Sequence, residues 1–278
     1  MAPCYDTSVL SETRQGVEAY VIAACDAMLS EEYTSRTGPI QKIQRVGFFG
    51  NWLIGHAGTS WRFLPLRDSL TRARREIERQ NIEGQNAEPD WSDLLTRTYH
   101  KHRDVSILAT FLQQYGFDSV SAFLDSGLKK FGKTEFARIC QHIESHDLGI
   151  EIIIGGFDEY NRIQILGIQH PGEPLDYALQ GHVAIGWGAL LATGWLNMNY
   201  EPRAPLKECM LRVLQAKFLA ESSPYVGKET VLMAMKSNGE VTVMSRENID
   251  AVRQSWMESM KVPGDLDDAM TLSVVSGF

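Results

Sequence analysis

The chain has 278 residues, 44% of them hydrophobic, enough for a sizeable buried core in one large domain or two small ones. A formal net charge of -8 with no dense Lys/Arg run argues against nucleic acid or an anionic membrane as the main partner. No apolar run approaches the roughly 18 residues that a membrane-spanning helix needs.

Cys4, Cys25, Cys140 and Cys209 lie far apart, without metal-ligand spacing and with no signal peptide before them. They are expected as free thiols in a reducing, cytoplasmic compartment. In chain order, Cys4 to Glu12 and Val17 to Cys25 are β-prone runs around the turn-like TRQG, which predicts an N-terminal hairpin. A polar stretch follows. Lys42 to Val46 and Phe48 to Ala57 resume strand character. Thr59 or Ser60 then caps a helix expected to reach about Gln80, with Leu64, Leu66, Leu70 and Ile77 on its buried side.

The turn-rich IEGQNAEPD reads as a linker into a largely helical region from about Trp91 to His146. Two strands around DEYN make a second hairpin, and the apolar run HVAIGWGALLATGWL leads into another helix. Pro205 opens a helix through about Glu221, with Leu206, Met210, Val213, Leu214 and Phe218 on one side. A third hairpin, ETVLMAMKSNGEVTVMS, turns at SNGE, the strongest turn signal in the chain. Ser245, with Glu247 and Asn248, begins a final amphipathic helix, and the tail from about Pro263 to Phe278 is expected to be loosely held. Segregated blocks of antiparallel strands and helices predict one α+β domain with sheets stacked between helices.

Asp26 and Lys42 stand at the edges of apolar strand-like runs, where a carboxylate and an ammonium brought together can hold a proton-transfer site. A structural ion pair is the plainer reading. The strings HAGTS and AIGWG let helices approach strands closely, or they supply backbone N–H groups to an oxyanion. His142 and His146, four apart with Glu144 between them, lack a third ligand, so a solvated helix is the favoured reading over a metal site. His100 and His102 face apart on a helix.

Several local strings resemble the proteasome β-subunit family of N-terminal-nucleophile (Ntn) hydrolases. VIAACDAMLS resembles the strand that ends in that family's functional aspartate, and QKIQRV resembles the strand that carries its lysine. The sixteen-residue separation of Asp26 and Lys42 is the family's own. IGHAGT resembles the Ala-Gly motif before the first long helix, GHVAIGWG resembles Ala-Ile-Gly-Ser-Gly, and AKFLAESSPYVGKETVLMAM resembles the last helix-to-strand passage. The likeness spans roughly Ala2 to Met260.

This resemblance implies a four-layer αββα sandwich with a helical insertion near residues 81–146. It also implies a self-assembling peptidase or amide hydrolase that packs against copies of itself and acts on peptide or protein, without metal or organic cofactor. Asp26 would orient Lys42, Lys42 would lower the proton affinity of the nucleophile and its terminal amine, and the Gly58 N–H would stabilise an oxyanion. Trp187 replaces the expected helper serine. Glu221 with Ser222 or Ser223 matches the supporting acidic and hydroxyl pair only loosely.

Where the family exposes a threonine, Met1 here is followed by Ala2. If Ala2 faces the Asp26 end, the hairpin centres near Arg14 with Gly16 in the turn, so Ala2 is assigned the nucleophile position, through natural loss of activity or through replacement of a threonine. Thr7 in that place moves the turn into Val17, and Cys4 is a further option after trimming of three residues. A non-catalytic assembly subunit is the alternative function, favoured by Ala2 and Trp187 and opposed by Asp26 and Lys42. Hydrolysis of a small-molecule amide is a third.

Overall fold

Both faces of the segment EAYVIAACD are apolar, so a strand built from it needs a packed layer on each side. The computed structural model describes residues 8–15, 18–26, 28–31, 34–37, 43–46, 52–82, 90–158, 160–201 and 204–260. It opens with β1 (Ser8–Gln15), β2 (Glu18–Asp26), a ribbon of β3 (Met28–Glu31) and β4 (Thr34–Thr37), then β5 (Ile43–Val46) and β6 (Trp52–Gly58). Next come α1 (Ser60–Ile82), α2 (Trp91–Ile107) and α3 (Val120–Glu144), followed by β7 (Ile150–Phe157), β8 (Ile163–Ile168), β9 (Pro174–Asp176) and β10 (His182–Ile185). The chain continues as α4 (Ala189–Asn199), α5 (Leu206–Ala220), β11 (Thr230–Lys236), β12 (Val241–Val243) and α6 (Arg246–Ser259).

These elements form an α+β structure with two five-stranded antiparallel sheets, ordered β10-β1-β2-β11-β12 and β5-β6-β7-β8-β9. Three cores explain the order. Tyr20, Ile22 and Ala24 of β2 join Leu232 and Ala234 of β11 against Leu196 of α4 and Val213 and Leu214 of α5. On the second sheet, Trp52, Ile54, Ile152 and Ile154 meet Phe63, Leu66 and Leu70 of α1 and Leu94, Leu95 and Tyr99 of α2. Between the sheets, Val21, Ala23 and Cys25 of β2 meet Leu53, Ala57, Ile153 and Ile165. Each buried valine, leucine, isoleucine or phenylalanine among them contributes about 1.5–3 kcal/mol by leaving water, and β2 supplies alternate residues to two cores.

The region expected to be one helical insertion divides. α2 begins at a cap in which the Asp90 side chain accepts from the Ser92 and Asp93 N–H groups, and its buried face joins the core beside α1. After α2 come a π turn over Leu108–Leu112 and a 3-10 turn over Gln113–Tyr115, stopped by Gly116 at φ 77°. α3 bends where Gly132 takes φ 75°. A separate cluster of Ile107, Leu112, Phe123, Ile139 and Ile143 holds this part together.

One expected register is corrected. Pairing runs from Gln15↔Glu18 to Ser8↔Cys25, so the ladder is centred between Gln15 and Glu18. Arg14 is not the midpoint but a rung of the ladder, opposite Ala19. Val9, Ser11, Thr13 and the apolar residues of β2 sustain pairing past the point where TRQG alone suggests a reversal. Ser245 caps α6 as expected, its side chain accepting from the Asn248 N–H. Among the described residues no helix is long and apolar enough to cross a membrane.

Candidate active site

β1 lies between β2 and β10, so its first described residue has two neighbours at once: Ser8 pairs with Cys25 on one side and with Ile185 on the other. Cys25 precedes Asp26, and Ile185 precedes Gly186 and Trp187. The amino-terminal end of β1 therefore enters the sheet between the carboxylate at the end of β2 and the turn that leads into α4. Ala2, Cys4, Thr7 and Lys42 lie outside the described residues.

A cavity of about 580 Å³ opens at this end of the fold, lined by Gly58, Asp147, Glu151, His170, Gly186 and Trp187 among others. Gly58 is required there. Its φ is 92°, and a Cβ added to it would stand 2.2 Å from the Gly149 carbonyl oxygen, so no other residue fits without moving β7. The adjoining Thr59 N–H donates to that carbonyl at 2.9 Å, which ties the end of β6 to the start of β7. Glu151 then crosses between sheets: its Oε2 accepts from the Gly186 N–H at 2.8 Å, fixing the turn that carries Trp187. Trp187 is 46% exposed and meets the Tyr225 ring edge-on at 5.6 Å. Burial, with the Glu151 charge as a second cause, pushes the Tyr177 phenol up, so it stays neutral.

Asp26 is fully buried at the end of β2 but is not part of the cavity wall. Its Oδ2 accepts from the Gly227 N–H at 2.8 Å, and the Gly227 carbonyl accepts from Lys217 Nζ at 2.8 Å. Lys217, fully buried in the last turn of α5, also donates to Glu221 Oε1 at 2.9 Å. Arg253 of α6 grips the same carboxylate through both terminal nitrogens, and Thr230 Oγ1 donates to it at 2.9 Å. Two cations thus balance two carboxylates within one hydrogen-bonded network, the arrangement that buried charge requires.

Of the residues expected at the site, Gly58 and Trp187 line one cavity, whereas Asp26 and Glu221 meet in the Lys217 network. Ser222 turns back, its hydroxyl donating to the Leu219 carbonyl at 2.7 Å. His142 stacks on Phe111 at 6.0 Å, and His146, which lies beyond the end of α3, has Nε2 2.9 Å from Ser106 Oγ. Among the described residues no cluster of His, Cys, Asp and Glu has metal-binding geometry. Lys217 and Glu151 were missed from sequence. Lys217 had a signal, since the spacing of Met210, Val213, Leu214 and Phe218 includes position 217 on the apolar face.

No protein-family model matches the chain, and no curated protein matches its sequence.

Proposed function

We propose that the chain is a proteasome-like Ntn subunit whose two sheets and outer helices form a four-layer αββα sandwich, and that it hydrolyses peptide amides from its amino terminus. The double pairing of Ser8 carries this reading, because it directs the start of β1 to the space between Asp26 and the cavity at Gly58. The Gly58 N–H stands as the oxyanion donor, and Asp26 with Lys42 as the pair that tunes the nucleophile.

The hairpin register bears on which residue attacks. The described register ends with Ser8 opposite Cys25, the residue before Asp26, and the residue before Ser8 in the sequence is a threonine, the nucleophile of the family the chain resembles. Hydrolysis therefore belongs to a form beginning at Thr7, made by cleavage of the Asp6–Thr7 bond, with the new amine as its base. Ala2 as the nucleophile position belongs to the second reading, a non-catalytic assembly subunit, which Trp187 favours by standing in place of a helper serine.

Intact mass and amino-terminal sequencing, joined to a peptidyl-amide hydrolysis assay, separate the two. The catalytic reading expects turnover by a chain beginning at Thr7 and its loss in Thr7→Ala. Turnover gained only in Ala2→Thr returns the nucleophile to position 2. Absence of turnover in all forms, with folding intact, selects the assembly subunit.

A further inference from the structure

We propose that the cavity beside Gly58 selects a lysine or arginine side chain, with Glu151 reading the charge and Trp187 forming the wall against which the stem lies. The inference rests on the reading that this cavity holds the amide substrate. Its volume of about 580 Å³ falls within the roughly 300–1,000 Å³ typical of small-molecule sites.

Among the described residues no cation pairs with Glu151. Its only hydrogen-bond donor among the described residues is the uncharged Gly186 N–H, on Oε2, which leaves Oε1 for a ligand. Asp147, the other carboxylate of the wall, differs. Its Oδ1 accepts from the Gly149 N–H at 2.8 Å, and the Arg62 guanidinium donates to the backbone carbonyls of Asp147 and Leu148 at 3.2 and 2.7 Å, so a cation already lies beside this residue. His170 adds a buried Nδ1 with no hydrogen-bond partner among the described residues, able to accept from an ammonium in the Nε2–H tautomer. Long basic side chains combine an apolar stem with a charged head. An indole face, a carboxylate oxygen and an imidazole nitrogen match that pattern, since a cation held over Trp gains from the ring quadrupole as well as from contact.

Nα-acetyl-lysine amide and Nα-acetyl-norleucine amide differ only by the ammonium group, and calorimetric titration of the full chain at low and high salt compares them. The lysine probe is expected to bind roughly tenfold or more tightly, with the preference shrinking as salt rises. Glu151→Gln retains an oxygen for the Gly186 N–H, so it removes the preference without shifting the thermal midpoint. Trp187→Leu weakens the lysine probe about threefold. Equal binding of both probes, binding of neither, or a preference that survives Glu151→Gln overturns the proposal. A cation preference of this kind in a protein that cleaves no peptide amide upholds the site and rejects the hydrolase reading alone.

Discussion

Lys217 governs Asp26 through a single residue: Gly227 accepts from the Lys217 ammonium with its carbonyl and donates to the Asp26 carboxylate with its N–H, both at 2.8 Å. The loop between α5 and β11 is thereby pinned from two sides by buried charges. Lys217→Met keeps the volume but leaves the Gly227 carbonyl without its ammonium donor and Glu221 with Arg253 as its one cation. Urea unfolding is expected to show a loss of about 3 kcal/mol or more, with the slope of the transition unchanged. A smaller loss is expected for Arg253→Gln, because Arg253 is partly exposed.

Gly58 and Gly194 answer oppositely to alanine. At Gly58, φ 92° and a backbone oxygen 2.2 Å from the added Cβ combine strain with overlap. Gly58→Ala is therefore expected to lower stability by about 3 kcal/mol or more. Gly194 lies inside α4, and a Cβ there meets nothing within 4 Å. Gly194→Ala is expected to raise stability by about 0.5–1 kcal/mol. Differential scanning calorimetry of the two variants against the parent checks both signs.

His182 makes stability depend on pH. Burial lowers its proton affinity below the ordinary imidazole value of 6.5, outweighing the hydrogen bond to Asn197 Oδ1 at 3.0 Å. A folded pKa below the unfolded one means that the unfolded chain binds the extra proton first as pH falls. Stability from this group is therefore complete above 6.5 and declines below it, by at most about 1.4 kcal/mol per pH unit. Denaturant midpoints measured from pH 8 to pH 5 are expected to fall less steeply in His182→Gln. Identical slopes in the two proteins would remove His182 as the cause.

Among the described residues, Cys25 and Cys209 are buried and Cys140 is partly exposed on α3. Burial, and then the Glu144 charge, push the Cys140 thiol up, so little thiolate is present at neutral pH. Alkylation of the native protein followed by peptide mapping is expected to mark Cys140 slowly, and faster as pH rises. Cys25 and Cys209 are expected to react only after unfolding.

Where a single stretch carried its own signal, the structure follows the sequence. The SNGE turn separates β11 from β12, Ser245 caps α6, and Pro205 stands just before α5. Features that need two distant segments were not legible. The cavity takes its wall from β6, β7, the loop after β8 and the turn after β10, and no local period joins these. The helical spacing sets Lys217 on the apolar face of α5, but nothing local names its partners, Glu221 and the Gly227 carbonyl, or the Arg253 that shares Glu221 with it. The first hairpin misled for a local reason: TRQG looks like a turn, yet Thr13, Arg14 and Gln15 are paired strand residues.

Because β2 faces helices with Tyr20, Ile22 and Ala24 and the opposing sheet with Val21, Ala23 and Cys25, it has no face it can exchange. Sliding it one position would trade a set of small residues for a set that includes a tyrosine in the gap between sheets. The strand thus acts as a ruler with only one legal reading, and whatever sits at its end is delivered at a fixed depth in the protein. Asp26 owes its placement to that indexing, set by the residues from Tyr20 to Cys25 that precede it in the strand.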